Sequence, residues 1–163
     1  MGIVNGLSAV IGAAEQILGV DCVGVLLIDE DGHLRSVAST GPAAAALERA
    51  QQQLGVGPGV DTVRTSETVA VNDLLADSYY ALLAREVGEL GVRAVVSAPV
   101  WVNGAVAGNL NVMRFGTYEW STDEISAAEA YADVIASLLQ VSVGRAASSA
   151  DESFGPETGR VQE

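Results

Sequence analysis

The sequence predicts one α+β domain built on an antiparallel sheet, and three observations lead to this class. Two apolar hairpins are present, one turning at Asp31–Gly32 and one at Asn103–Gly104, where Asn-Gly is the strongest short-range hairpin signal. Helical patterns precede, separate and follow the hairpins, so helices and strands do not alternate one by one. The length of 163 residues allows one domain with a proper core and is too short for two.

The first part of the chain has the pattern of a helix, a hairpin and a second helix. Residues 2–18 place their apolar side chains at helical spacing, which predicts an amphipathic helix with one apolar stripe. A β-rich run at residues 23–28 turns through Asp-Gly into a second run at residues 34–39. Pro42 suits the first turn of an Ala-rich helix that we expect to end near residue 53.

A cover segment follows, in which short elements cross one face of the sheet. The glycines within residues 55–59 break the Ala-rich helix. We expect a short helix at residues 60–65, a strand at residues 68–71 and a helix at residues 78–90 that Gly91 terminates. A covered sheet face is how a small protein encloses a pocket, so this segment indicates small-molecule binding.

Two strands and a long helix complete the pattern. The Asn-Gly hairpin joins strands at residues 93–102 and 105–114. Ser121 and Glu124 have the spacing of a capping box at the start of the last helix. Apolar residues then recur at a 3-4 spacing close to a coiled-coil seam, which we expect at a dimer interface: Ile125, Ala128, Ala132, Ile135 and Leu139. We therefore place the domain at residues 1–145 and a disordered acidic tail at residues 146–163.

Composition excludes several function classes. The net charge is −13 and the chain contains no lysine, so we expect no nucleic-acid partner and exclude a Walker-type phosphate loop. A run of about 18 apolar residues, which a membrane span needs, is absent from the sequence, as is a basic region ahead of the N-terminal apolar residues. Cys22 is the only cysteine, which rules out an internal disulfide and a Cys-rich zinc site. We expect a cytoplasmic protein with no membrane partner and no bound metal.

Three stretches resemble a GAF domain: residues 55–77, 90–113 and 120–139. They are most similar to the sensor portion of actinobacterial GAF–ANTAR regulators, where a related glycine-rich segment precedes an Asp-Leu element. The resemblance spans about residues 3–142. It implies a sheet of five to six strands in the order 2-1-5-4-3, with the terminal helices on one face, often as a dimer bundle. Loops and short helices then cover a ligand pocket on the other face.

The resemblance also sets expectations for partners. An RNA-binding ANTAR segment does not follow the sensor pattern here, since a short acidic stretch ends the sequence. We therefore expect action through a downstream signalling protein or a small molecule, and a homodimer formed by the first and last helices. The sequence does not identify a cofactor. Haem-binding and bilin-binding relatives use a His or Cys on the pocket side, and neither Cys22 nor His33 matches that location.

Candidate ligand-binding residues come from the last hairpin and the cover segment. Alternation along residues 105–114 places Asn109 and Asn111 opposite the apolar face, so both amides point into the pocket if the apolar face meets the terminal helices. The alternative is that they bond to cover-segment backbone or trapped water. The complete candidate set is Asp61, Asp73, Tyr79, Arg93, Asn109 and Asn111.

Structural roles compete with ligand binding at several of these positions. Asp61 can cap the short helix, and Asp73 can cap a helix or form an Asx turn; these structural roles are favoured. One of Tyr79 and Tyr80 is expected on the pocket wall and the other at the surface. The glycines of residues 55–59 favour a structural turn over a phosphate cradle, because no strand precedes them.

These observations predict a non-enzymatic sensory domain, with no catalytic residues assigned. The alternative within the same fold is an enzyme like the free methionine-(R)-sulfoxide reductases, which rely on several cysteines. One cysteine cannot supply both a nucleophilic thiolate and its resolving partner. A third alternative is a pure protein-interaction module whose pocket has collapsed.

Overall fold

The computed structural model describes residues 2–153, which form five α-helices and five strands joined by short turns. The α-helices are α1 (Ile3–Leu18), α2 (Pro42–Leu54), α3 (Pro58–Thr65), α4 (Ala81–Val87) and α5 (Thr122–Ser153). The strands are β1 (Cys22–Ile28), β2 (Leu34–Ser39), β3 (Val69–Val71), β4 (Val92–Val102) and β5 (Ala105–Phe115). One-turn 3₁₀ helices flank α4 at Ser78–Tyr80 and Gly88–Leu90, within the span predicted as one helix.

The strands form one sheet in the order β2-β1-β5-β4-β3, and every neighbouring pair is antiparallel. This confirms the predicted α+β class and strand order, with five strands. Asn103 and Gly104 both have positive φ angles, 53° and 79°, as a two-residue turn of type I′ requires. The turn pairs β4 with β5 along their length. Because β5 also pairs with β1, it is the central strand of the sheet.

Helices α1 and α5 pack on one face of the sheet. Their buried side chains form a single apolar core with the inward residues of the central strands: Leu7, Ile11, Ala128, Ala132, Ile135, Val96, Leu110 and Val112. Helices α2 and α4 cover the other face and form a second apolar cluster with the ends of β1, β4 and β5. The central sheet is therefore covered on both faces, as the terminal apolar stripes and the cover segment predict.

The capping box of α5 is confirmed. The Ser121 backbone N–H donates to Glu124 Oε1 at 3.0 Å, and the Glu124 N–H donates to Ser121 Oγ at 3.1 Å. Helix α5 then continues to Ser153, so residues 146–153, predicted as part of a disordered tail, are helical. Because an existing helix propagates without a new nucleation step, α5 can extend into a sequence poor in apolar residues. The remainder of that tail, residues 154–163, lies outside the described residues.

The predicted seam of α5 lies in the core of the domain. Ala132 is 0% exposed and packs against the sheet, so it cannot form a dimer contact. The 3-4 spacing marks the face of α5 that packs on the sheet. The dimer interface was predicted wrongly at this face because periodicity shows that a helix face is buried, but not whether a sheet or a second helix buries it. Another apolar pair on α5 is open to solvent, with Val134 48% and Val141 51% exposed.

Within residues 2–153, no helix has both the length and the apolar character that crossing a membrane requires.

We expect Ser121→Ala to lower the free energy of unfolding by about 1 kcal/mol, because the first turn of α5 loses a capping acceptor. Chemical denaturation monitored by circular dichroism measures this. Ser126→Ala, an exposed position in the same helix, is the matched control and should not destabilise the domain. Equal unfolding midpoints for Ser121→Ala and the wild type would contradict the role of the cap.

Candidate functional site

The side chains of β5 alternate between the two faces of the sheet. Leu110 and Val112 lie in the core formed with α1 and α5, while Asn109 and Asn111 are fully buried on the opposite face. The predicted orientation of the two asparagines is therefore correct. Whether they contact a ligand stays a prediction.

A row of small and polar residues crosses the covered face of the sheet. Asn111 is the register partner of Gly24 on β1 and of Ser97 on β4. Helix α2 lies over this row and directs the carboxyl group of Glu48 at Gly24, where a Cβ atom would overlap Glu48 Oε1. Glycine at position 24 is what lets a carboxyl group reach the sheet surface beside Asn111.

A second contact group joins α2, the glycine loop and β5. The Gly59 N–H donates to Gln51 Oε1 at 2.8 Å, and Asn109 Nδ2 donates to the Gly59 carbonyl oxygen at 3.1 Å. A Cβ atom at Gly59 would lie 2.7 Å from Asn109 Oδ1, and one at Gly57 would overlap the Gln51 side chain. The glycines thus allow the start of α3 to approach two amides. This arrangement agrees with the structural turn favoured by the sequence.

We call Glu48, Gln51, Ser97, Asn109 and Asn111 the polar layer. All five side chains are at most 1% exposed. Six of their atoms are buried without a protein hydrogen-bond partner: Glu48 Oε1, Gln51 Nε2, Ser97 Oγ, Asn109 Oδ1, Asn111 Nδ2 and Asn111 Oδ1. In residues 2–153, the other such side-chain atom is Arg114 Nε. Since each unsatisfied buried group costs about 1–3 kcal/mol, this concentration makes the polar layer the candidate ligand site.

Glu48 is the ionisable member of the polar layer. Burial raises the pKa of its carboxyl group to about 8, and a hydrogen bond from the Ser36 hydroxyl to Oε2 opposes this only in part. The nearby cations do not compensate its charge, since Arg35 donates to Asp29 and Arg49 is exposed on the outer side of α2. Glu48 is therefore mostly protonated at neutral pH.

Sequence reasoning missed Glu48 and Gln51, although a signal was present. Ala44, Leu47, Glu48 and Gln51 follow the i, i+3, i+4, i+7 spacing of one helix face, and all four are buried. The Ala-rich pattern predicts a helix, and two polar residues on its apolar stripe indicate a polar group on the buried face.

A surface cleft of about 470 Å³ reaches the polar layer at Gln51. It lies between the β1–β2 turn and helices α2 and α3, and we call it the entrance cleft. Its lining is Gly32, His33, Leu34, Arg35, Gln51, Gln52, Gly55, Val60, Val63 and Arg64. Gln51 thus contributes both to the cleft and to the buried layer.

The prediction that Asp61 caps α3 is wrong. Gly57 is the N-cap because Pro58 occupies the first turn, and this places Asp61 inside the helix. Its carboxylate accepts from Tyr80 Oη at 2.7 Å, from Tyr79 Oη at 3.3 Å and from Arg64 at 3.0 Å. Of the two tyrosines, Tyr80 is 5% exposed and Tyr79 is 57% exposed. Asp61 therefore anchors α3 to the turn that precedes α4.

Asp73 and Arg93 form an ion pair apart from the polar layer. Asp73 accepts the Leu75 N–H at 3.0 Å, which confirms the predicted Asx turn. Arg93 donates to both carboxylate oxygens, at 2.7 and 2.8 Å, and this hydrogen bonding lowers the pKa of Asp73. Asp73 lines a different surface depression, with Asn72 and Asp77. The six candidates therefore fall into three groups: Asn109 with Asn111, Asp61 with Tyr79, and Asp73 with Arg93.

The β1–β2 turn brings together three side chains that could contact a cation. Ligand atoms of Asp29, Asp31 and His33 lie within 4.8 Å of one another. However, Asp29 Oδ1 accepts the backbone N–H groups of Asp31 and His33, and Asp29 Oδ2 accepts from Arg35. These three bonds hold the turn itself and occupy most of the roughly four acceptor sites of the Asp29 carboxylate.

We expect the unfolding free energy to fall by up to about 1.4 kcal/mol per pH unit between pH 5 and pH 8 through Glu48 alone. Folding raises its pKa from 4.5 to about 8, so its contribution to stability is complete below pH 4.5 and is lost as pH rises through 8. Urea denaturation across this pH range measures the slope. Glu48→Gln should reduce it, whereas Glu89→Gln, an exposed control, should not; equal slopes in both variants would contradict the raised pKa.

The model of the GAF domain family matches residues 6–139. A comparison with curated protein sequences gives no significant match. Among solved structures, a domain from Sinorhizobium meliloti described as a two-component sensor histidine kinase superposes with a TM-score of 0.76 at 20% identity, covering 91% of this chain and 97% of that one. Likeness at this level of identity shows a shared fold.

Two further structures show the range of this fold. The GAF domain of an Acinetobacter phosphoenolpyruvate-protein phosphotransferase has a TM-score of 0.73 at 18% identity, covering 88% of this chain and 86% of that one. A free methionine-R-sulfoxide reductase from Neisseria meningitidis, solved with its substrate, has a TM-score of 0.72 at 17% identity, covering 88% and 81%. Because the family model matches most of its length, this chain belongs to the GAF domain family.

Proposed function

We propose that this chain is a cytoplasmic, non-enzymatic sensory GAF domain that binds a small molecule at the polar layer and signals through α1 and α5 in a homodimer. The observation that carries the proposal is the set of unpartnered polar atoms buried beneath α2 and α3. A ligand that supplies hydrogen-bond partners for these atoms would stabilise the folded domain.

The entrance cleft supports this assignment by providing a route. The cleft ends at Gln51, whose Oε1 holds the Gly59 N–H while its Nε2 has no partner. Movement of α2 or α3 away from the sheet would open the polar layer from this side. We therefore place ligand entry between the β1–β2 turn and the start of α3.

Strand β5 supports the signalling part of the proposal. Asn109 and Asn111 contribute to the polar layer, while Leu110 and Val112 on the same strand pack in the core with α1 and α5. A shift of β5 on ligand binding therefore acts on the terminal helices directly. Signalling further requires that the ligand bind the two helix arrangements with different affinities.

The outer face of α5 supports the homodimer. Val134 and Val141 are about half exposed and lie seven residues apart, on one stripe of the helix. This stripe differs from the buried seam that includes Ala132. Two copies of α5 packed along Val134 and Val141 would bury it.

The reductase alternative rests on the similarity to the Neisseria enzyme. Against it stands Cys22, the only cysteine, which is 3% exposed and lies 3.7 Å from Met113 Sδ. Burial raises the pKa of the Cys22 thiol to about 12, and the nearby charges of Asp21, Glu15 and Glu48 add to this. A thiol that stays protonated is a poor nucleophile. We expect no methionine-sulfoxide turnover in the presence of a thiol reductant.

The alternative of a collapsed interaction module predicts an apolar filling beneath the cover, because unpartnered amides destabilise a closed core. The polar layer favours ligand binding instead. A closer kinship with actinobacterial GAF–ANTAR regulators, and with it action on a downstream signalling protein, is proposed on the sequence motifs alone.

Asn111→Leu tests the ligand site. We expect the unliganded variant to unfold at the same temperature as the wild type or higher, because an apolar side chain replaces two unpartnered polar atoms. Compounds from a library of small polar metabolites that raise the wild-type melting temperature should lose their effect in this variant. Asn5→Leu, an exposed position on α1, is the control and should retain the effect. A compound that raises the melting temperatures of Asn111→Leu and Asn5→Leu equally would contradict the assignment of the ligand site to the polar layer.

Val134→Glu tests the dimer. A charge on the exposed stripe should convert a homodimer into a monomer in sedimentation equilibrium without loss of helical content. Gln140→Glu adds the same charge about 120° around the helix and should leave the dimer intact. A wild-type monomer, or a dimer unchanged by Val134→Glu, would exclude this interface.

A further inference from the structure

The polar layer is asymmetric in charge. It contains one carboxyl group, Glu48, and among the described residues with assigned burial no arginine or histidine is buried. Asp61, the other buried carboxyl group, is already engaged by Arg64, Tyr79 and Tyr80. Among the residues with assigned burial, Glu48 therefore has no buried counter-ion.

The unpartnered atom of Glu48 faces the centre of the covered sheet surface. Oε2 accepts from the Ser36 hydroxyl near the edge strand, while Oε1 lies over Gly24 without a partner. Gly24 is in register with Asn111, and Asn111 with Ser97. Glu48 Oε1 thus stands at one end of a row of groups that continues across β5 to β4.

We propose, building on the function proposed above, that the polar layer recognises a positively charged nitrogen group of a small molecule, a protonated amine or amidine, with Glu48 as its counter-ion. The side-chain oxygens of Asn109 and Asn111 serve as further acceptors. An ammonium group has three N–H donors and no acceptor. Three oxygens of the polar layer have no protein donor: Glu48 Oε1, Asn109 Oδ1 and Asn111 Oδ1.

Other ligand charges fit this site less well. An anion such as a phosphate or carboxylate would meet Glu48 and amide oxygens without a buried cation to balance its charge. A neutral ligand would leave Glu48 in its protonated form, the state that burial imposes on it. A cation allows the carboxyl group to ionise and forms a charge-assisted hydrogen bond, which is stronger than a neutral one.

The entrance cleft admits a cation despite the arginines in its lining. Arg35 pairs with Asp29 at 2.8 Å, and Arg64 pairs with Asp61 at 3.0 Å, so both charges are balanced locally. The net charge of −13 attracts cations to the domain as a whole. This general attraction must be separated from recognition at Glu48, and the experiment includes a control for it.

Isothermal titration calorimetry with butylammonium, butyramide and butyrate at pH 7 and equal ionic strength tests the proposal. Butylammonium should bind the wild-type protein more tightly than butyramide, and butyrate should not bind. Because Glu48 loses its proton when a cation binds, about one proton per bound ligand should be released, measured from the dependence of the heat on buffer ionisation. Glu48→Gln should weaken butylammonium binding about tenfold or more and abolish the proton release.

Two further variants make the outcome decisive. Glu89→Gln removes the same charge at an exposed position and should bind butylammonium like the wild type. Gly24→Ala places a methyl group where Glu48 Oε1 lies and should also abolish butylammonium binding. If Glu48→Gln does not fold, Gly24→Ala takes its place in the test. Equal butylammonium binding in all variants would show diffuse charge attraction and overturn the proposal, as would no butylammonium binding by the wild type.

The titration, together with the melting-temperature experiment, separates this proposal from the function on which it rests. If butyramide binds as tightly as butylammonium, and Asn111→Leu abolishes both while Glu48→Gln affects neither, the ligand site stands and the cationic class is wrong. If metabolites that stabilise the wild type act equally on Asn111→Leu, the ligand site itself is wrong.

Discussion

The structure depends on burying the polar face of β5 beneath helices. One face of this central strand is apolar and packs on α1 and α5, while the other presents Asn109 and Asn111. Burying amides is costly unless they find partners, and here α3 supplies one, the Gly59 carbonyl oxygen that accepts from Asn109 Nδ2. Glycines at positions 24, 57 and 59 allow the close approach of α2 and α3, since a Cβ atom at any of them would overlap or crowd a polar side chain of the layer. The glycine-rich loop therefore has a packing role.

This arrangement links the polar layer to the terminal helices through one strand. The residues of β5 that face the polar layer alternate with residues that face α1 and α5, so neither set can shift without the other. Closely packed cores transmit small displacements because they have little free volume. A displacement of Asn111 is thus passed through Leu110 and Val112 to the inner face of α5.

Part of the site could be predicted because it follows local rules. Two-residue alternation placed Asn109 and Asn111 on the covered face, and the preference of Asp for an Asx turn placed Asp73 correctly. Asp61 was misassigned because Pro58 moves the start of α3 toward the N-terminus, and the side chain then lies beside Tyr80. Glu48 and Gln51 are not predicted as site residues, because their roles depend on contacts of α2 with Gly24 and Gly59, which are set by tertiary packing.

The sequence by itself determined the elements of this protein: the turns at Asp31–Gly32 and Asn103–Gly104, the capping box of α5, and the apolar stripes of the terminal helices. These features depend on residues close together in the chain, whose geometry is set by backbone dihedrals and short-range hydrogen bonds. Only the tertiary structure decided that Glu48 lies over Gly24 beside Asn111, and that Ala132 faces the sheet while Val134 faces solvent. The physical reason is that a helical stripe specifies that a face is buried, whereas its partner is chosen by the packing of distant segments.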